Sequence, residues 1–250
     1  MHVLQRIACA ASMLALCATA QQPAALPQSQ LQNQAQNPAQ PASENADLRL
    51  RLEWPHAQKH HPVPAVLWLE SLPGTDVPAF TPRSHYTLLQ KNRTFIPHLQ
   101  VVPVGTAVAF PNADPFFHNV FSLFDGKRFD LGLYEAGSTK SVNFSREGVS
   151  YIFCNIHPEM SAVVLALSTP LYAIADGHNA FALADVPPGS YKLHIWIEGA
   201  PFAWLDSLTR TIHVSGRTLD LGAVTVPTEP EQQHANKFGK PYPPEGSSPY

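Results

Sequence analysis

The alternation of hydrophobic and polar residues along the middle of the chain predicts β-strands. In "LRLRLEW", the apolar side chains Leu48, Leu50, Leu52 and Trp54 fall on one face of an extended segment. Further short apolar runs follow as far as "SAVVLAL", and Gly, Pro, Asn and Asp residues separate them. No long amphipathic helix is indicated. This spacing predicts an all-β fold built as a sandwich or barrel.

A second strand-rich unit is predicted over residues 168–226. Its runs "LYAIAD" and "AFALADV" are separated by a "GHN" turn, and "PPGSYKLHIWIEG" combines a turn with an alternating strand. "TRTIHVSGRTLDLGAVTV" completes the unit around a Ser-Gly turn. A segment of this size is small for an independent hydrophobic core. We therefore expect it to pack against the first unit, which is predicted over residues 47–167.

The two ends of the chain differ in composition from the middle. Residues 1–20 carry a positive Arg6, a short apolar stretch and a small-residue cleavage motif ending at Ala20, which together predict a cleaved signal peptide. Residues 21–46 are rich in Gln, Pro and Ala, which predicts a disordered tether, and the Pro-rich residues 227–250 are predicted to be a mobile tail. The protein is therefore expected to be periplasmic or otherwise exported. A retained N-terminal anchor and lipid attachment at Cys17 stay open as alternatives.

Charge and composition exclude some classes of partner. The 250 residues carry a formal net charge of −3, and no basic run or stripe stands out. This argues against a nucleic-acid partner. The apolar stretch near the N-terminus is too short to span a bilayer comfortably, so no membrane-spanning segment is expected in the mature chain.

Cysteine use directs attention to one loop. The chain has 3 cysteines, and Cys9 and Cys17 would leave with the signal peptide. Cys154 would then be alone in an oxidising compartment, where it has no internal disulfide partner and needs burial or a bound metal. It lies in "YIFCNIHPEM", where His157 and Met160 follow at three-residue spacing.

The donors in this loop favour copper. Thiolate and thioether are soft ligands, imidazole is borderline, and a trigonal His₂Cys site with a weak axial Met is typical of blue copper centres. The best candidate for the second histidine is His118 in "FPNADPFFHNVFS", at the start of an apolar run that a sandwich can place beside the loop. We therefore predict one copper ion bound by His118, Cys154, His157 and Met160. Ordinary core and turn roles for these residues stay open as the alternative.

These residues resemble the copper site of the cupredoxins, such as plastocyanin, azurin and amicyanin. The spacing Cys-x-x-His-x-x-Met resembles the short ligand loop of amicyanin. The resemblance implies a Greek-key cupredoxin sandwich for the first unit. It also implies that Asn119, next to His118, braces the ligand loop through hydrogen bonds.

A closer resemblance covers roughly residues 48–226. "FPNADPFFHNVFS" together with "CNIHPEM" resembles periplasmic cupredoxin-like proteins that are often labelled methylamine-utilisation proteins. Nothing else in the sequence points to methylamine metabolism. "GHNAFALADVPPGSYKLHIW" resembles a carboxypeptidase regulatory-like domain, which implies a small prealbumin-like sandwich without catalytic residues.

The favoured function is a type 1 copper protein that carries single electrons between unidentified redox partners. A self-contained copper or haem enzyme is not expected, because the chain has no His-x-His pair and no Cys-x-x-Cys-His motif. Copper delivery is an alternative, and so is an envelope interaction module with a degenerate copper site.

Other residues near these motifs have less specific interpretations. Phe116, Phe117 and Pro158 are expected to form an apolar rim around the ligands, and Glu159 is a weaker ligand candidate. The remaining histidines are interpreted as strand, turn or surface residues, including the cluster at positions 56, 60 and 61.

Overall fold

The structure is a computed structural model that describes residues 45–55, 62–83, 85–123, 126–227 and 236–240. The predicted signal peptide, nearly all of the predicted tether and the histidine cluster at positions 56, 60 and 61 lie outside the described residues. Among the described residues, no helix has the length and apolar character needed to cross a bilayer.

The described chain is almost entirely β-structure, which confirms the predicted fold class. It contains seventeen strands and one helix, α1, of 7 residues. The first nine strands are β1 (Ala46–Glu53), β2 (Ala65–Ser71), β3 (Tyr86–Thr87), β4 (Leu89–Lys91), β5 (Thr94–Ile96), β6 (Leu99–Pro103), β7 (Thr106–Pro111), β8 (His118–Ser122) and β9 (Phe129–Tyr134). The remaining elements are β10 (Thr139–Phe144), β11 (Gly148–Phe153), β12 (Ser161–Leu167), β13 (Tyr172–Ile174), β14 (Ala180–Val186), β15 (Gly189–Ile197), α1 (Phe202–Leu208), β16 (Arg210–Val214) and β17 (Thr218–Thr225).

The first sandwich carries the candidate metal ligands. Its sheets have the strand orders β10-β7-β3 and β6-β12-β11-β8-β9, and β4 and β5 form a separate hairpin. Apolar side chains from both sheets enclose one core, which includes Val108, Phe110, Val120, Phe144 and Ile152. All five residues of β8 are buried, which fixes His118 at the edge of this core.

The second sandwich is built from sheets with the strand orders β14-β1-β17 and β13-β2-β15-β16. The alternation in β1 places Leu48, Leu50 and Leu52 inside, as the sequence pattern predicts, and leaves Arg49 and Arg51 exposed. The buried leucines share one core with residues such as Phe181 and Tyr191. The short helix α1 lies against β15.

The strand pairing departs from the predicted division of the chain at residues 167 and 168. Strands β1 and β2 precede the first sandwich in sequence, and the prediction assigned them to it. In the structure β1 pairs with β14 and β17, and β2 pairs with β13 and β15. The first sandwich is therefore inserted between two neighbouring strands of the second. The alternation of apolar and polar residues shows which face of a strand is buried, but it does not show which other strands pair with it.

Strand β12 contributes to both hydrophobic cores. Val163, Leu165 and Leu167 belong to the core of the second sandwich, whereas Ala162 and Val164 belong to the core of the first. This explains why "SAVVLAL" is a continuous apolar run rather than an alternating one, because a strand buried on both faces has no polar side.

Candidate metal centre

Three of the four predicted ligands converge at one end of the first sandwich. His118 is the first residue of β8, and Cys154 directly follows β11. The pairing of Phe153 with Ser161 closes a loop over residues 154–160, which contains His157. Within this ligand loop, Cys154 N–H donates to the Met160 carbonyl at 3.2 Å and Met160 N–H donates to the His157 carbonyl at 3.1 Å. The sheet and these two bonds therefore position the donors.

The three ligand atoms form a triangle of a size that suits a metal ion. Nδ1 of His118 lies 3.1 Å from Nδ1 of His157, and Sγ of Cys154 lies 3.8 Å from the first nitrogen and 3.5 Å from the second. An ion bound in a trigonal plane at about 2.0 Å to nitrogen and about 2.3 Å to sulfur separates its ligand atoms by about 3.5–3.7 Å. The observed triangle is close to these separations, so the donor set fits a trigonal metal ion.

Met160 occupies the position on the loop that the sequence predicts. It is fully buried in the core of the first sandwich and is held by the two backbone hydrogen bonds of the ligand loop. Its assignment as an axial ligand stays a prediction.

The sulfur of Cys154 lies in an environment that suits a metal-bound thiolate. Burial raises the pKa of the thiol, and it outweighs the opposing effect of the backbone N–H groups of Asn119, Ile156 and His157, which donate to the sulfur. Without a metal the group is therefore held as a neutral thiol. The three N–H donors are already directed at the sulfur, and they would stabilise its ionised form once a cation is bound.

A carboxylate that the sequence analysis missed orients His118. Nε2–H of His118 donates to Oδ2 of Asp114 at 2.8 Å, and both side chains are buried. This bond places the proton on Nε2 and leaves the lone pair of Nδ1 directed toward Cys154 and His157. A metal-binding histidine is commonly held in this way by a carboxylate at its other nitrogen.

Asp114 is held in turn by the β4–β5 hairpin. Its carboxylate accepts hydrogen bonds from the backbone N–H groups of Asn92 at 2.7 Å and Arg93 at 3.0 Å, and both of these residues have positive φ angles. Burial acts to raise the pKa of Asp114, but the bonds from Arg93, His118 and Asn92 outweigh it and lower the pKa. The carboxylate is therefore ionised when it holds His118.

Aromatic packing covers the two histidines on one side. The ring centroid of Phe116 lies 5.2 Å from that of His118 and 5.6 Å from that of His157, and the guanidinium of Arg93 lies 5.5 Å from the Phe116 ring. Phe117, by contrast, is 50% exposed, and Pro158 and Glu159 are also exposed. Of the predicted apolar rim, Phe116 packs against the ligands whereas Phe117 and Pro158 face the surface.

His157 is the more accessible of the two histidines, because it is only partly buried whereas His118 is fully buried. Partial burial lowers the pKa of His157, and the neighbouring His118 lowers it further. The neutral imidazole, which is the form that binds a metal, is therefore favoured at this position.

Asn119 lies beside the site, but its side chain does not brace the ligand loop directly. Nδ2 of Asn119 donates to Oδ1 of Asp130 on β9 at 2.7 Å. The contact with the ligands comes from the main chain, since the Asn119 N–H donates to the Cys154 sulfur. The side-chain bracing that the resemblance implied is therefore replaced by a bond to Asp130, and a structural role of Asn119 at the centre stays a prediction.

Another histidine lies next to the ligand loop without joining the triangle. Nδ1 of His98 lies 3.0 Å from the Ser161 carbonyl, and Nε2 lies 2.8 Å from Oε1 of Glu198 at the end of β15. His98 is therefore a structural residue, as interpreted from the sequence. Its two partners connect the first sandwich to the second immediately after Met160.

Comparisons with solved structures give partial matches to copper proteins. The Cu-containing nitrite reductase from Thermus scotoductus SA-01 is 23% identical over 33% of this chain and 22% of its own length, with a TM-score of 0.32. A purple cupredoxin from Nitrosopumilus maritimus is 24% identical over 33% of this chain and 99% of its own, with a TM-score of 0.30. Amicyanin from Paracoccus versutus is 18% identical over 35% of this chain and 85% of its own, with a TM-score of 0.31.

No protein-family model matches the sequence, and no curated protein matches it. The chain spans 22% of the nitrite reductase and most of the two smaller proteins. Each likeness covers only about a third of this chain. The chemistry of the candidate metal centre therefore rests on the side chains of this chain.

Proposed function

We propose that the protein is an exported type 1 copper protein that carries single electrons between redox partners. The observation that supports this most strongly is the convergence of two imidazole nitrogens and one cysteine sulfur within 3.8 Å of one another. A thiolate with two histidines is the equatorial ligand set of blue copper sites, whose copper alternates between Cu(I) and Cu(II).

Each residue of the centre has a distinct task under this proposal. His118, Cys154, His157 and Met160 would hold the copper through two imidazole nitrogens, a thiolate and a thioether, and the soft thioether of Met160 would help to set the reduction potential. Asp114 keeps His118 in the tautomer that presents Nδ1. Phe116 packs against both imidazoles and keeps water from that side.

Electron transfer requires the centre to change little in shape between the two oxidation states. Three of the proposed ligands lie on one short loop that is closed by the β11–β12 pairing and by its own two hydrogen bonds. A partner would approach at His157, which is partly exposed. Export is proposed from the N-terminal signal pattern, and it accords with a chain whose remaining cysteine is buried.

The test is a titration of the purified, reduced protein with Cu(II). We expect an intense visible thiolate-to-copper absorption that saturates at one copper per chain. The Cys154→Ser variant, which keeps a side chain of similar shape but lacks the sulfur, should show no such band. A wild-type protein with a reduced thiol and no visible band would refute the proposal.

Copper delivery is the second candidate, because the partial exposure of His157 gives a competing ligand access to the site. An electron carrier should retain its copper, whereas a delivery protein should release it readily. Measuring the rate of copper loss to an excess of chelator separates the two, since rapid and complete transfer favours delivery.

A further inference from the structure

Residues 236–240, "NKFGK", lie within the segment predicted to be a mobile tail, but in the structure they form a compact turn. Oδ1 of Asn236 accepts hydrogen bonds from the N–H groups of Phe238 at 3.0 Å and Lys240 at 3.1 Å, and Asn236 N–H donates to the Lys240 carbonyl at 2.9 Å. Gly239, with a φ of +70°, supplies the left-handed conformation that closes the turn. We call these five residues the NKFGK turn.

The NKFGK turn contacts the ligand loop through its main chain. The N–H of Lys237 donates to Oδ1 of Asn155 at 3.1 Å. Asn155 is the residue after Cys154, so this bond restrains the loop directly beside the proposed thiolate ligand.

The side chain of Lys237 reaches a second part of the centre. Its Nζ donates to Oδ2 of Asp130 at 2.8 Å, and the other oxygen of Asp130 accepts the bond from Asn119 Nδ2 at 2.7 Å. Asn119 follows His118 and also donates its main-chain N–H to the Cys154 sulfur. A single lysine therefore connects the loop that carries Cys154 and His157 with the strand that carries His118.

We propose that Lys237 is a positioning residue of the metal centre and that the NKFGK turn is a built-in restraint on the ligand loop. Without the turn, Asn155 and Asp130 lose the partner that they share, and fewer contacts hold the loop against β8. This role rests on the proposed function, in that the restrained loop is taken to be the ligand loop of a copper site.

The restraint itself can be tested in the metal-free protein by amide hydrogen exchange. The N–H groups of Cys154 and Met160 report on the loop because both form hydrogen bonds inside it. A chain that ends at residue 235 lacks the turn, and a chain that ends at residue 240 is the matched control. We expect these amides to exchange about 10-fold faster in the shorter chain, as follows from the loss of one hydrogen bond and one partly exposed ion pair.

Point variants separate the side chain from the turn as a whole. Lys237→Met loses the ion pair but keeps the main-chain bond to Asn155, so the same amides should exchange about threefold faster. Lys237→Arg should restore the wild-type rates. Lys240→Met removes the same charge from a neighbouring position and should leave the rates unchanged. Equal exchange in the two shortened chains would overturn the proposal.

A second measurement follows the copper. In the copper-loaded protein, loss of the turn should accelerate release of copper to a chelator and alter the thiolate-to-copper band, whereas Lys240→Met should change neither. Faster amide exchange without any copper band would uphold the restraint and refute the copper function. If the wild-type protein shows a normal copper band, but loss of the turn changes neither amide exchange nor copper release, the copper function is upheld and the restraint is refuted.

Discussion

At the scale of single residues, the centre depends on a buried pair that lies behind one ligand. The ionised carboxylate of Asp114 holds Nε2–H of His118, and the backbone of the β4–β5 hairpin holds Asp114. A negative charge bonded to a ligand favours the more highly charged oxidation state of a metal. The reduction potential should therefore depend on this residue.

Asp114→Asn tests that dependence. The amide keeps the shape but removes the charge, and its NH₂ group cannot accept the hydrogen bonds that one of the two carboxylate oxygens now accepts from the hairpin or from His118. We expect Cu(II) affinity to fall about 10- to 100-fold and the reduction potential to rise. Competition with a chelator and redox titration measure these changes. Asp76→Asn, at an exposed loop position, is the control, and equal potentials in the two variants would contradict this prediction.

Met160→Leu tests the proposed axial ligand. Leucine has nearly the same volume, so the free energy of unfolding of the metal-free protein should change by less than about 1.5 kcal/mol. Loss of a soft thioether should raise the reduction potential and shift the visible spectrum of the copper form. An unchanged spectrum and potential would exclude Met160 as a ligand.

The sequence predicted His118, Cys154 and His157 because scarce soft donors at short spacing are a specific signal. It did not predict Asp114, although "NADPFFH" places a carboxylate four positions before His118. Many carboxylates lie near histidines along a chain, and only folding decides which of them meet. Lys237 was missed for a related reason, because the Pro-rich composition around it is typical of a mobile segment.

At the scale of elements, an ion pair connects β6 with the end of β15. Both ring nitrogens of His98 face acceptors, namely the Ser161 carbonyl and the Glu198 carboxylate, and only the imidazolium can donate to both at once. The bond to Glu198 raises the pKa of His98 above its usual value, and partial burial opposes this only in part. The imidazolium is therefore part of the contact between the two sandwiches.

The pH dependence of stability follows from the sign of this shift. A histidine whose pKa is raised on folding stabilises the protein fully below the unfolded pKa of about 6.5, and this contribution disappears as pH rises through the folded pKa. His98→Gln should therefore lower the free energy of unfolding by about 0.5–1 kcal/mol near pH 5.5, as for a partly exposed pair, and by much less near pH 9. Denaturant titrations at both pH values check this. His178→Gln, in an exposed turn, is the control, and a pH-independent difference for His98→Gln would contradict the prediction.

Strand pairing was the part of the fold that the sequence left open. Alternation located β1 and its buried leucines, and a continuous apolar run located β12. The partners of β1 and β2 follow β12 in sequence, and no local pattern records a pairing between such distant segments. The predicted domain boundary followed the order of segments in the sequence. It therefore could not show that β13, β14, β15 and β17 pair with β1 and β2 at the other end of the chain.

At the scale of the whole molecule, the insertion predicts which fragments fold. Residues 168–227 alone lack β1 and β2, which are inner strands of the two sheets of the second sandwich. This fragment should be unfolded by circular dichroism and by the dispersion of its NMR signals. Residues 45–71 joined to 168–227 by a short Gly-Ser linker regain both inner strands, because Leu69 N–H already lies 2.9 Å from the Leu171 carbonyl, and this fragment should recover β-structure even though it lacks the core residues that β12 supplies. A folded 168–227 fragment would contradict the inserted arrangement.

The inserted arrangement also determines the order in which the molecule can form. The two partners of β1 are β14 and β17, which both follow the first sandwich, so the first strand has no partner until the chain has passed beyond that sandwich. The intervening sandwich contains its own core and consists of strands that follow one another closely in sequence. Contacts between segments near in sequence form faster than distant ones. We therefore expect the first sandwich to fold first, while β1 and β2 remain exposed and in need of protection from aggregation until their partner strands are available.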